Sequence, residues 1–133
     1  MLEVLPLSQA DQLPPRPGLA TLDPDIPLAE QMTNAARSAG RTQPELLADI
    51  AIDAFECESL LDRVPRPMSR GERQICSILI TISAPVVALS LVDPTAGLDG
   101  RRRQVAVDLF ADLASDRPVA VASDDVGFAP YRR

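Results

Sequence analysis

Between Ile75 and Val92 the sequence carries no charged residue, and Pro85 stands inside that run. An uncharged stretch of this length has two solutions, a membrane-spanning helix or two buried elements of a globular fold. Proline decides between them. Its ring pushes the preceding residue, Ala84, out of the helical region, and it brings no backbone donor. Ser77, Thr81, Ser83 and Ser90 dilute the hydrophobicity, and the half after the proline, VVALSLV, has the β-rich character of a buried strand. The run reads as helix, break, strand, with no membrane insertion.

The same reading extends along the chain. Residues 2–7, LEVLPL, suit one short strand, which Pro6 confines to an edge or ends early. From Gln12 to Pro27 the prolines of PPRPG and LDPDIP prevent regular structure. Residues 28–39 read as a helix closed by Gly40 in the left-handed position. Thr42 and Glu45 have capping-box spacing for a second helix, whose expected apolar face is Leu46, Leu47, Ile50, Ala51, Ala54 and Phe55. Leu60 and Leu61 fall in a further short turn. Ser69 and Glu72 repeat the S-x-x-E spacing and start the helix through Ile75, Ile78, Leu79 and Ile82. Residues 86–92, apolar on both faces, suit the interior of a parallel sheet. A helix over 101–114, with Val105, Leu109, Phe110 and Leu113 facing inward and Asp99 at its cap, leads to a second buried strand at 119–122. The order helix, strand, helix, strand predicts an α/β fold with a parallel sheet, in which ligands collect at the carboxyl ends of strands. Asp93, Asp124 and Asp125 all fall there.

Composition then removes whole classes of function. The 133 residues suit one domain with a single core. All 13 basic residues are arginine, and there is neither lysine nor histidine. Imidazole acid/base chemistry, histidine metal sites, Schiff bases and a phosphate-clamping lysine are therefore excluded from these residues. A net charge of -6 argues against nucleic acid as a general partner. Cys57 and Cys76 lie in no metal spacing and read as reduced, structural thiols. No metal ligand set is expected. The first residues lack a basic region followed by a long apolar one, so a cytoplasmic location is expected.

Two short stretches carry candidate chemistry. The helix opened by Ser69 begins MSRGERQ, and a helix start with small residues presents free N–H groups and the positive end of its dipole. The stretch SLVDPTAGLDG ends a strand in Asp93 before a proline turn. Such an aspartate is a carboxylate at the place where α/β enzymes do chemistry. More commonly it is a turn initiator bonding local backbone donors, and that structural role is the expectation for Asp93. Arg101, Arg102 and Arg103 crowd the positive end of the following helix, which reads as a solvated face and in the minority case as a contact for an anion or partner.

Taken together, MSRGERQ, SLVDPTAGLD and VAVASDD resemble the distal half of an ATP-binding cassette (ABC) ATPase domain, over residues 68–125. LDPDIPLAEQM resembles the stretch after the family's Q-loop, and residues 42–66 its helical subdomain. The resemblance implies one ABC-ATPase-like domain over 1–133, an incomplete P-loop NTPase-like layered fold with a helical subdomain at about 28–66. It begins near the Q-loop strand. The run PTAGLD is its most specific element.

What the resemblance implies for function follows position by position. Walker A, GxxxxGK[ST], is absent, and its lysine with it. Val92 takes the place of the magnesium-supporting aspartate, which a valine cannot replace. Asp93 takes the place of the glutamate that polarises water and is one methylene shorter. Asp124 stands where the switch histidine would be. Ser69, Gly71 and Glu72 match the signature loop that meets nucleotide held by an opposite subunit, while Arg70 replaces the first of its two glycines. Asp99 matches the interface aspartate of the D-loop, and with Arg70 it is expected at a partner surface. The Walker A strand, in the complete fold, would lie beside residues 86–92, and its absence would leave a central strand with unpaired groups at about 1–3 kcal/mol each.

The expected function is thus a degenerate ABC-type module, non-hydrolysing alone, that serves as a partner-binding or accessory subunit of an ABC-type ATPase or transporter. No cofactor is expected for the chain alone; Mg-ATP would be shared with a partner. Self-association, another ABC-type ATPase chain and membrane transporter subunits are the expected partners. The alternative is a half-enzyme that completes an ATPase site with a Walker A-bearing polypeptide.

Overall fold

A computed structural model describes residues 1–132 of the chain. It divides into two compact units, one formed by Met1–Gly18 with the residues from Val87 onward, the other by Leu19–Val86.

The first unit is built on a parallel sheet of β1 (Leu2–Leu5), β2 (Leu89–Val92) and β3 (Val119–Ala122), in the order β1-β3-β2. All four residues of β3 are buried, as a strand paired on both sides and covered on both faces requires. Pro6 ends β1 at the edge, as its missing donor predicts. Between β2 and β3 runs α4 (Gly100–Leu113), whose buried residues are Ala106, Val107, Leu109, Phe110 and Leu113. Val105, expected inside, is only half-buried.

Two expectations for this sheet are corrected. The strand begins at Leu89 rather than 86, and it lies at an edge rather than in the interior. Val87 is 81 % and Val92 58 % exposed, so the apolar run is not buried on both faces. Furthermore, β2 is not a central strand missing a neighbour. Its inner side pairs with β3, and on the other side the N–H of Ser90 donates to the carbonyl of Pro17 at 2.9 Å, while Ser90 Oγ donates to the carbonyl of Pro14 at 2.6 Å. The proline-rich segment therefore straps the edge. The slot beyond β3 is filled by β1, from the chain's own start.

The second unit packs α1 (Leu28–Ser38) and α2 (Leu46–Phe55) against α3 (Arg70–Ser83). Gly40 adopts φ 78, and the pair Arg41 N–H to Ala36 carbonyl and Gly40 N–H to Arg37 carbonyl closes α1 in a Schellman motif, as the sequence predicts. Buried Gln31 pins the loop before α1, accepting from Asp23 N–H and donating to the carbonyls of Asp23 and Ile26. Helix α3 ends at Ser83, with Ala84 extended before Pro85. Two of its hydroxyls bond within the helix, Thr81 Oγ1 donating to the carbonyl of Ser77 and Ser83 Oγ to that of Leu79. Among the described residues no helix is long and apolar enough to cross a membrane.

Helix α2 departs from expectation. The Thr42–Glu45 capping box does not form, because Glu45 is extended, with φ -60 and ψ 151, and gives its N–H to the carbonyl of Ser83. Pro44 also drives Gln43 out of the helical region, so no helix can begin at Thr42. The buried face is Ala48, Ala51, Ile52 and Phe55, whereas Leu46 is 70 % and Ile50 56 % exposed.

Candidate functional site

The sequence-selected residues fall into two groups, one in each compact unit.

In the helical unit the loop that opens α3 is held by a reciprocal cap. Ser69 Oγ accepts from Glu72 N–H at 3.1 Å, and Glu72 Oε1 accepts from Ser69 N–H at 3.0 Å. The other oxygen of Glu72 lies 3.6 Å from the Arg63 guanidinium. Glu72 is thus committed to the fold. Ser69 accepts internally but keeps a hydroxyl proton to donate outward, and Ser69 and Arg70 are both exposed beside half-buried Gly71. Cys76, one turn inside the helix from Glu72, is fully buried, with Sγ 3.4 Å from Met68 Sδ. Burial, reinforced by Cys57 and Glu72, pushes its thiol up to about 12. Both cysteines are buried and neither is in a disulfide, which fits the structural role read from the sequence.

In the sheet unit Asp93 follows β2 in the left-handed region, at φ 49. Its N–H continues the ladder to the carbonyl of Ala122 at 2.8 Å, and its carbonyl accepts from Ala96 N–H. The expectation that its side chain bonds local backbone donors is corrected: among the described residues, no hydrogen bond ends on the Asp93 carboxylate. Left-handed geometry in a residue other than glycine is strained. Val92, just before it, points an apolar side chain into solvent.

The turn Pro94–Leu98 is held by Leu98 N–H to the Thr95 carbonyl and by Gly97 at φ 79. Asp99 occupies the N-cap position of α4, its carbonyl accepting from Arg103 N–H, but its side chain makes no cap bond and stays exposed. Asp124 is exposed, and its Oδ1 accepts from Leu7 N–H at 3.0 Å, just beyond β1.

The residue that organises this end of the sheet is Asp125, which the sequence reading placed only among three strand-end aspartates. Its carboxylate, 7 % exposed, accepts from Thr95 Oγ1 at 2.6 Å and Gly127 N–H at 2.8 Å, and lies 3.7 Å from Arg103 Nε. The D-x-G spacing of Asp125 and Gly127 was the available signal, an aspartate bonding its own backbone two residues on. Arg103, one of the arginine triplet, stays 46 % exposed while its Nε approaches this acid.

These residues do not fit an unaided triphosphate. No lysine is present, Val92 has no oxygen for a metal shell, and the first amide after β1 is already given to Asp124.

No protein-family model matches the sequence. The chain is 33 % identical over 102 residues to the energy-coupling factor transporter ATP-binding protein EcfA2 of Lactiplantibacillus plantarum, covering 76 % of this chain and 33 % of that protein. It thus spans about a third of the length of that relative. In fold it is similar to the ATP-binding subunit of an ABC transporter, with TM-score 0.63, 16 % identity, and coverage of 98 % of this chain and 51 % of the other. A bacterial Atm1-family ABC exporter with ATP bound gives TM-score 0.59 at 17 % identity, over 96 % of this chain and 22 % of the exporter.

Proposed function

We propose, from the premise that the chain is an ABC ATPase-like domain in sequence and in fold, that it does not hydrolyse ATP by itself and acts as an accessory module bound to another ATPase chain. In this reading it lends the Ser69–Gly71 loop to nucleotide held by a lysine-bearing Walker A elsewhere. Mg-ATP is shared rather than owned, and the place of action is the cytoplasmic side of a transporter assembly.

One contrast carries the reading. At α3 the cap holds the loop with the Ser69 hydroxyl proton and the helix dipole facing solvent. At the sheet the groups that hydrolysis needs are replaced by an exposed valine, a shorter acid and a carboxylate bonded to Leu7. Positive potential thus remains where a partner's phosphate would arrive, and negative charge stands where the chain's own would sit. Asp99 and Arg70, both exposed, are the interface residues of this reading.

A second reading, the half-enzyme, is favoured by one observation: the strained backbone and internally unbonded carboxylate of Asp93. Titrating Mg-ATP into the isolated chain, and into the chain with a Walker A-bearing ABC protein, tests both. Absence of binding alone and a gain in the mixture support the accessory module, and tight binding by the isolated chain refutes it. In an active mixture, Asp93→Asn should leave turnover nearly intact; a collapse in rate would establish the half-enzyme instead.

A further inference from the structure

A cavity of about 460 Å³ in the sheet unit is lined by Glu3, Val4, Leu5, Pro6 and Arg132. Successive residues of a strand point to opposite faces, so a cavity that touches Glu3, Val4 and Leu5 together lies along the side of the strand rather than over one face. The inner side of β1 is taken by β3, which leaves the outer edge. Ladder geometry says which groups stand there. The Leu5 carbonyl accepts from Ser123 N–H at 2.9 Å, on the β3 side, and backbone direction alternates along a strand. Glu3 therefore also faces β3, while the N–H and carbonyl of Val4 face outward. Val4 is half-buried, and among the described residues no strand pairs with that side. The open length is short. Leu2 is 4 % exposed, Pro6 has no N–H and its carbonyl already accepts from Gln9, and Leu7 N–H is given to Asp124.

We infer that this edge pairs with the same edge of a second copy of the chain, antiparallel about a two-fold axis at Val4. The two Val4 residues then exchange N–H to carbonyl bonds in both directions and join two sheets into one. Charge selects this occupant. Exposed Glu3 stands at one end of the open length. At the other end, beside the close of β1, Arg132 is held by its Nη2 donating to the Ser123 carbonyl at 2.6 Å. An antiparallel two-fold sets Glu3 of each copy toward Arg132 of the other, giving two opposite-charge pairs. A foreign strand without that cation meets an unpaired carboxylate, the usual guard of an edge against indiscriminate pairing. Pro6 stops the ladder after one residue pair, and each copy carries a net charge of -6, so the dimer is weak. The inference concerns a different surface from the Ser69–Gly71 loop and stands without nucleotide.

Sedimentation velocity of the full chain without nucleotide, from micromolar to millimolar concentration, tests the pairing. The parent should move from monomer to dimer across that range. Glu3→Arg and Arg132→Glu should each weaken dimerisation about tenfold or more, because each sets like charges across the two-fold. An equimolar mixture of the two variants should recover it, since every cross-pair is again of opposite sign. Unchanged circular dichroism and melting show that the variants fold, and recovery in the mixture shows it independently. Hydrogen exchange at the Val4 amide should slow as the dimer forms, whereas the Glu3 amide, already turned to β3, should not change. A monomer throughout the range, a dimer that survives both reversals, or a mixture that stays monomeric would overturn the proposal. So would a dimer in which Val4 exchanges as fast as in the monomer, or one abolished by Ser69→Ala, which would move the contact to the α3 loop.

Discussion

Truncation of Asp125 to alanine isolates the group that ties the sheet end together. Thr95 is 5 % exposed and loses the acceptor of its 2.6 Å hydrogen bond; Gly127 N–H loses one at 2.8 Å. A buried donor left unsatisfied costs about 1–3 kcal/mol, and bonds to a charged acceptor lie at the strong end. Gly127 is half-buried, so water recovers part of its loss. Asp125→Ala should therefore destabilise the sheet unit by about 2–4 kcal/mol, a large share of a typical domain's 5–15. Asp125→Asn should cost only about 1, because its oxygen still accepts from Gly127 and the Thr95 hydroxyl can turn to accept from the amide. Urea unfolding followed by circular dichroism, with hydrogen exchange at Ala120 and Val121, reads the effect in the right unit. A double-mutant cycle with Thr95→Ala should give a coupling of about 1 kcal/mol or more. An Asp125→Ala change within about 0.5 kcal/mol of the parent, or no coupling to Thr95, would refute the assignment.

Removal of the Ser69 hydroxyl in Ser69→Ala should cost about 1 kcal/mol by urea melt, while Glu72→Gln, which keeps an acceptor for Ser69 N–H, should cost less. Gly40→Ala places a Cβ in open space at φ 78, so its loss of about 1 kcal/mol is conformational and should appear with no change in the fold by circular dichroism. With its thiol pushed up to about 12, Cys76 should stay unreactive toward a chromogenic disulfide reagent at pH 8 and react only in urea. The Arg66 guanidinium, donating to Asp25, holds that carboxylate below its usual 3.8. A depressed folded-state value adds stability that is complete above the unfolded value and is lost as pH falls through the folded one. Both side chains are well exposed, so the effect is small: Asp25→Asn should reduce the drop in urea midpoint between pH 5 and pH 3 without altering the midpoint ordering at higher pH.

Local signals were read correctly where local physics decides. Ser69 and Glu72 cap each other because both partners lie within one turn, Gly40 takes φ 78 because a helix end needs it, and Ala84 is extended because Pro85 follows. The same spacing at Thr42 and Glu45 misled, because a distant acceptor, the Ser83 carbonyl, claims the Glu45 N–H and Pro44 forbids the turn. Which side of α2 is buried is decided by its packing on α3, and the choice of Ala48, Ala51, Ile52 and Phe55 leaves Leu46 and Ile50 outward. Strand order was likewise illegible: β1 meets β3 across more than a hundred residues, and no pattern in LEVL announces that partner. In the candidate site, Ser69 and Asp99 are exposed and Gly71 is half-buried, whereas Asp125 was hidden because its role is to join Thr95, Gly127 and Arg103.

The strand order also changes why the chain would associate at all. An orphaned central strand would drive tight pairing through backbone groups, at whatever surface happened to complete the sheet. Here β3 is paired on both sides by the chain itself, and Ser90 on β2 is engaged by Pro17 and Pro14. Pro14, Pro15 and Pro17 have no N–H to offer, so the strap holds Ser90 with a segment poor in backbone donors. Completion of the sheet at β3 therefore has no motive, and in the accessory reading proposed above association rests on side chains, Ser69 and Arg70 at the α3 start and Asp99. Contacts of so few residues suit a transient encounter rather than an obligate dimer. The accessory reading requires an encounter of that kind, because a loop lent to another chain's nucleotide must be able to leave after turnover.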